Sequence, residues 1–215
     1  NSETDFVARN DDFQNFVSNL SKINLNQKGD LEKVIKCEYP DTKDKVSDTL
    51  TNLITKIGEN ITIRRGNYIN INDGYVGSYV HNVEKDEMGK IGVLISVRTD
   101  IDISKINVFL KKICMHIAAA NPISISSSDI DAEVLRKEKE FQLEEIKKTG
   151  KEQSIQGKML EGKINKYFNE VVLLEQNFVM DNNIKIKQFI ENSSKELNGS
   201  IQIKKFVRFK VGEEQ

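Results

Sequence analysis

No window of this chain holds the ~18–20 consecutive apolar residues that a membrane span needs, and no charged-then-apolar leader of the secretory type stands at its start. No membrane association is expected. Charge of one sign is not in excess either, with 32 Lys and Arg against 33 Asp and Glu. Domains that grip nucleic acid carry a basic surplus to meet the phosphates, so no direct nucleic-acid partner is expected, although local basic patches remain open. Histidine and cysteine number two each, His81, His116, Cys37 and Cys114, and they form no cluster with metal-ligand spacing. Both cysteines fall in stretches that read as helical, so free buried thiols and a reducing compartment are expected. The same scarcity removes catalytic options. A hydrolase or transferase needs a nucleophile with a base, a carboxylate pair or a metal cluster. No such constellation stands out and no Gly-Lys-Ser/Thr phosphate loop is present, although the scattered acids leave a small hydrolase or transferase open as a rival reading. No catalytic residue, metal or cofactor is assigned.

What the chain does have is a periodic apolar pattern. At 215 residues and 38% hydrophobic it can bury a core. Phe13, Phe16, Val17 and Leu20 recur at helical spacing, which predicts one amphipathic helix from about Asp5 to Ile23. A short helix around Leu31–Cys37 ends before Tyr39-Pro40, and Val46, Leu50, Leu53, Ile54 and Ile57 mark another that Gly58 caps. The period then changes. Ile61–Arg65, Tyr68–Ile71, Tyr75–His81 and Ile91–Val97 are rich in β-branched and aromatic residues, and Gly66, Asp73-Gly74 and Met88-Gly89 punctuate them. That pattern predicts an antiparallel meander. Helix returns at Ile106, Phe109, Leu110, Ile113 and Ile117, and stops before Asn121-Pro122.

Beyond the caps offered by Ser126–Asp129, the stretch from Asp131 to Lys148 is dense in Glu and Lys with a thin seam of Val134, Phe141 and Ile146. After Thr149-Gly150-Lys151 a second helix carries Ile155, Met159, Leu160, Ile164 and Phe168. Two charged helices with narrow seams predict an antiparallel hairpin, a coiled coil, over 129–169. Strand signatures follow at Val171–Leu174, Phe178–Met180, Ile201–Ile203 and Phe206–Val211, with a short helix around Ile186–Asn192. The order of helix and strands is used twice. The expected fold is α+β, two related subdomains of antiparallel sheet packed with helices, at 1–100 and 101–215, with the hairpin inserted in the second.

The opening Glu3-Thr4-Asp5-Phe6-Val7-Ala8-Arg9-Asn10 carries the functional signal. Taken by chemistry alone it stays ambiguous, because an Asp in a first turn stabilises a helix N-terminus and a Phe usually enters a core. The full string closely resembles the signature of elongation factor Ts. Further blocks follow in that family's order: Lys56–Ile61 with Arg64-Arg65, Gly77–His81, Lys90–Leu94, Met115–Pro122, Gly150-Lys151 with Lys158–Lys163, Gln176–Met180 and Phe206–Gly212. Ser2 stands where a Cys is common, and Glu152 where a Pro often follows Gly-Lys. Because the chain begins at Asn1 within the signature, it is expected to be a fragment without the family's N-terminal helical domain.

The resemblance implies a guanine-nucleotide exchange factor of translation elongation, a binding protein and not an enzyme, whose partner is the GTPase elongation factor Tu. It implies that Thr4, Asp5, Phe6 and Val7 enter the partner and dislodge its magnesium. Ile91, Gly92 and His116 are implied as further partner-binding positions, with a packed helix-face role open for His116 and a packing role open for Gly92. His81 has no assigned role. The alternative is a coiled-coil assembly scaffold without exchange activity, and the hairpin is available for self-association in either case. The expected compartment is the bacterial cytoplasm, or alternatively a mitochondrion or plastid.

Overall fold

A computed structural model describes residues 2–213. Three helices open the fold: α1 (Asp11–Asn26), α2 (Leu31–Lys36) and α3 (Val46–Ile57). The helix expected from Asp5 starts at Asp11. Asn10 is extended and its side chain accepts a hydrogen bond from the Phe13 N–H, a cap that fixes the helix start. Asp11 and Asp12 therefore fill the first turn, and Asp5 does not. A single 3₁₀ turn, Val7–Arg9, precedes the cap. Gly58 closes α3 in the left-handed region at φ 79°, as its position after the periodic residues predicts. Phe16, Ile23, Val34, Val46 and Leu53 form a compact core, and Val7 and Ile61 close it from the flanks.

The strands expected within residues 61–71 do not form: the segment runs without a ladder apart from one isolated bridge, Ser2 to Ile61. Tertiary packing accounts for the β-branched pattern instead. Ile61 and Ile69 are buried, and Gly66 is pressed so closely against Asn24 and Leu31 that a Cβ would clash with them.

The larger sheet has the order β1-β2-β5, from β1 (Gly74–Lys85), β2 (Met88–Thr99) and β5 (Ile201–Lys210), all antiparallel. β1 and β2 form a hairpin that turns at Asp86–Glu87, not at Met88-Gly89. The two short runs expected near the end of the chain are one continuous strand, β5. It pairs with β2, so the sheet draws strands from both halves of the sequence. Side chains alternate along β2. Val93, Ile95 and Val97 pack with Ile106, Phe109, Leu110, Ile113 and Ile117 of α4 (Ile103–Ala120), with Ile91 at the margin. Gly92 and Leu94 point to the opposite face. Gly77 on β1 lets α4 approach, since a Cβ there would lie 2.8 Å from Leu110 Cβ.

Two long helices, α5 (Ala132–Lys147) and α6 (Gln153–Val171), contact one another, with Lys163 donating to Gln142 across them. Each has a single buried residue, Ile146 and Ile164. The run Val171–Leu174, expected as strand, is the end of α6 and a 3₁₀ turn. Its apolar character reflects burial: Val172 and Leu173 are fully enclosed, and backbone N–H groups of Leu173 and Leu174 donate to Ser124 and Ile125 carbonyls. A small second sheet, β3 (Asn177–Phe178) with β4 (Asp181–Lys185), turns at Val179-Met180 and leads into α7 (Ile186–Glu196). The outcome is an α+β fold with antiparallel sheets.

Candidate functional site

The segment from Thr4 to Val7 lies between the helical core and the start of β2. Val7 is 3% exposed and sits in the core with Phe16 and Val34, whereas its neighbour Phe6 is 83% exposed. Burying a Phe side chain gains about 1.5–3 kcal/mol. This sequence forgoes that gain at Phe6 while taking the equivalent at Val7. The arrangement is enforced from both sides. Thr4 donates from its N–H and its hydroxyl to the two carboxylate oxygens of Glu59, at 3.0 and 2.6 Å. Asp5 accepts from Lys90 Nζ at 2.8 Å. With its neighbours held, the Phe6 ring projects outward.

The Lys90 hydrogen bond and charge hold the Asp5 carboxyl below the usual carboxylate range, and the same contact raises Lys90. Both groups are solvent-exposed, so the pair is weak as a source of global stability. Arg9 lies 3.5 Å from Glu84 near the end of β1. Lys90 directly precedes Ile91 and Gly92, so the ion pair brings the acid-aromatic segment next to the second group of residues that the sequence singles out. Gly92 pairs with Val80 and Phe209 on the two flanking strands, and a Cβ built on it would meet nothing within 4 Å. Packing therefore places no demand for glycine at this position.

His116 is placed differently. It is fully buried on α4, among groups of the 176–179 segment. The Val179 N–H donates to its Nδ1 at 3.3 Å, which leaves the proton on Nε2 to donate to Gln176 Oε1 at 2.9 Å. Burial lowers its pKa, against an opposing pull from Gln176, so the ring is held neutral. Gln176 in turn donates to the carbonyls of Glu170 and Ala120. The ring thus spends both nitrogens on the 176–179 segment rather than on residues 4–7. Asp5 is thus tied to the residue that precedes Ile91 and Gly92, while Val7 anchors the same segment in the helical core and His116 braces the small sheet. Sequence reasoning missed Glu59 and Lys90 as tethers, although both sit in blocks that carry the family resemblance.

A groove of about 290 Å³ runs between α1, residues 61–65 and the end of β5, where Arg65 stacks over the Phe209 ring at 4.6 Å. Among the described residues, no group of three or more His, Cys, Asp and Glu is placed to hold a metal ion.

Fold and site together define an α+β protein whose distinctive surface is an exposed acid-aromatic loop tied to a sheet end. Residues 3–213 match the family model described as Elongation factor TS. The chain is 42% identical over 214 residues to the Elongation factor Ts of Rickettsia bellii, an alignment that spans 99% of this chain and 69% of that protein. It is 41% identical over 213 residues to that of Rhodospirillum centenum and 42% over 214 to that of Rhodospirillum rubrum, with the same shares covered. The chain belongs to the elongation factor Ts family, whose members are translation elongation factors. Among the described residues no helix is long and apolar enough to cross a membrane.

Proposed function

We propose that this chain is a guanine-nucleotide exchange factor that binds elongation factor Tu carrying GDP, disturbs its magnesium site and promotes GDP release. The observation that carries this reading is the contrast between Phe6 and Val7. A large aromatic stands in water between tethered Thr4 and Asp5 on one side and buried Val7 on the other. Such a residue is a ready anchor for a partner pocket. Thr4, Asp5 and Phe6 would enter the partner, and Val7 would hold the base of the loop. Ile91 and Gly92 would form the second contact, since a bare backbone at Gly92 admits close approach. His116 would act from behind, as a brace.

The physics is a coupling free energy. The factor accelerates release by binding the nucleotide-depleted GTPase more tightly than the GDP-loaded form, and GDP then weakens the factor's binding by the same ratio. The chain's role is therefore binding, not enzymatic turnover of a substrate. In this reading residues 1–100 carry the release step and residues 101–215 support it. The 129–169 hairpin is a coiled coil open to contacts with the partner or a second copy. Its work belongs to the cytoplasm of a bacterium, as the bacterial origin of the relatives supports.

The test is release of fluorescent GDP from elongation factor Tu on mixing. The wild-type chain should accelerate it, and Phe6→Ala, folded as judged by circular dichroism, should weaken the effect by about thirtyfold, the equivalent of ~2 kcal/mol at a central anchor. Binding without faster release would leave the scaffold reading in its place.

A further inference from the structure

Three of the ties that hold the 2–10 segment come from three separate elements, and all are made by side chains outside the signature itself. Glu59 follows the cap of α3 and takes both donors of Thr4. Lys90 near the start of β2 takes Asp5, and Glu84 near the end of β1 faces Arg9. Beyond the single bridge from Ser2 to Ile61, residues 2–6 contain no helix or strand pairing that fixes them. A loop of that kind loses conformational entropy when a partner orders it. We propose that Lys90, with Glu59, is a positioning residue that pre-orders the Asp5–Phe6 tip and couples it to the Ile91–Gly92 strand end, so that both contacts meet the partner as one surface. This inference rests on the exchange reading, which it deepens.

The strength of these contacts sets the size of the effect. An exposed ion pair contributes roughly two- to fivefold in an equilibrium constant, and salt screens it. Lys90 therefore biases the loop without locking it, and Asp5 stays free to trade Lys90 for a partner group. Lys90 adjoins Ile91 in sequence, so displacement of the tip is felt at the strand end directly.

The sequence contains no tryptophan, so Phe6→Trp places a single fluorescent reporter at the tip. In that background, without any partner, time-resolved anisotropy should show faster and wider local motion for Lys90→Met and Glu59→Gln, and near-parental motion for Lys90→Arg. With Phe6 intact, Lys90→Met should raise the concentration that gives half-maximal GDP release by roughly two- to fivefold with an unchanged maximal rate. The gap should close in about 0.5 M KCl. Unchanged tip motion in both variants would overturn the proposal. So would a lowered half-maximal concentration in Lys90→Met, which would make Lys90 a competitor for Asp5. If the wild-type chain releases no GDP at all, the exchange reading fails, and the anisotropy arm still decides whether Lys90 and Glu59 order the tip.

Discussion

Phe6 and Val7 are adjacent and both apolar, yet one is in water and the other in the core. Phe6→Ala removes no internal contact of consequence. Its unfolding midpoint should stay within the small range of surface substitutions, about ±0.5 kcal/mol, while Val7→Ala should be destabilised by ~1 kcal/mol or more. Chemical denaturation of the two variants checks this, and a marked loss of stability in Phe6→Ala would show that the ring is packed. Burial also separates the two cysteines. It pushes the Cys114 thiol up to about 12, whereas Cys37 is only half-buried. A maleimide applied to the folded protein should label Cys37 and spare Cys114 until denaturant is added; equal labelling rates would contradict the packing of α4.

His116 gives the same reasoning a pH dependence. Its folded pKa is lowered by burial, so protons bind the unfolded chain more readily below the unfolded value of about 6.5. Its neutral form is fully compatible with the fold above that pH. Stability is lost progressively as pH falls from there toward the depressed folded value. Thermal unfolding at about pH 7.5 and about pH 5.5 should show this loss in wild type and a smaller one in His116→Gln, which starts from a lower midpoint because the Gln176 and Val179 bonds are disturbed. An equal drop in both proteins would assign the acid sensitivity to other groups.

Among the elements, β2 is the one on which core and candidate site meet. Its inward residues pack on α4 while Gly92 opens to the other side. Gly92→Ala should fold with an unchanged or slightly raised midpoint, because no atom stands where its Cβ would go. It should nonetheless slow GDP release from elongation factor Tu. Gly77→Ala is the contrasting control, since its Cβ meets Leu110 and the packing of α4 on β1 suffers. Full-speed release by a well-folded Gly92→Ala would remove that position from the interface.

Long periodic elements such as α3, α4 and the β1–β2 pair are legible in the sequence, because each buries one face at its own period. Residues 61–71 and 171–174 are not. Their β-branched runs are buried by helix packing and by the turn after α6, and an apolar run does not state what covers it. The acid-aromatic loop is legible only through its resemblance to a family. Asn10 can be read as the cap that excludes Asp5 from α1. The tethers from Glu59 and Lys90 span 55 and 85 residues, and no local pattern announces a contact of that range.

At the scale of the whole molecule, two cores are joined at the site. Phe16, Val34 and Leu53 stabilise the helical part, β2 and α4 the sheet part, and the Asp5–Lys90 pair bridges them beside the exposed ring. A second bridge runs from the Arg65 guanidinium to the Lys210 carbonyl of β5 at 3.1 Å. The helix pair α5 and α6 contributes one buried residue per helix, so replacing residues 131–166 with a short turn should leave both cores folded and GDP release intact. Loss of release in a variant that keeps its hydrogen-exchange protection would bring the helix pair into the mechanism.

The most direct measurement mixes the full chain with elongation factor Tu carrying fluorescent GDP and follows the fluorescence as nucleotide leaves, for wild type and Phe6→Ala side by side. Fast, concentration-dependent release by wild type and about thirtyfold weaker action by a folded Phe6→Ala is the expected result. Equal release by the two proteins would contradict a role for the exposed ring in nucleotide release.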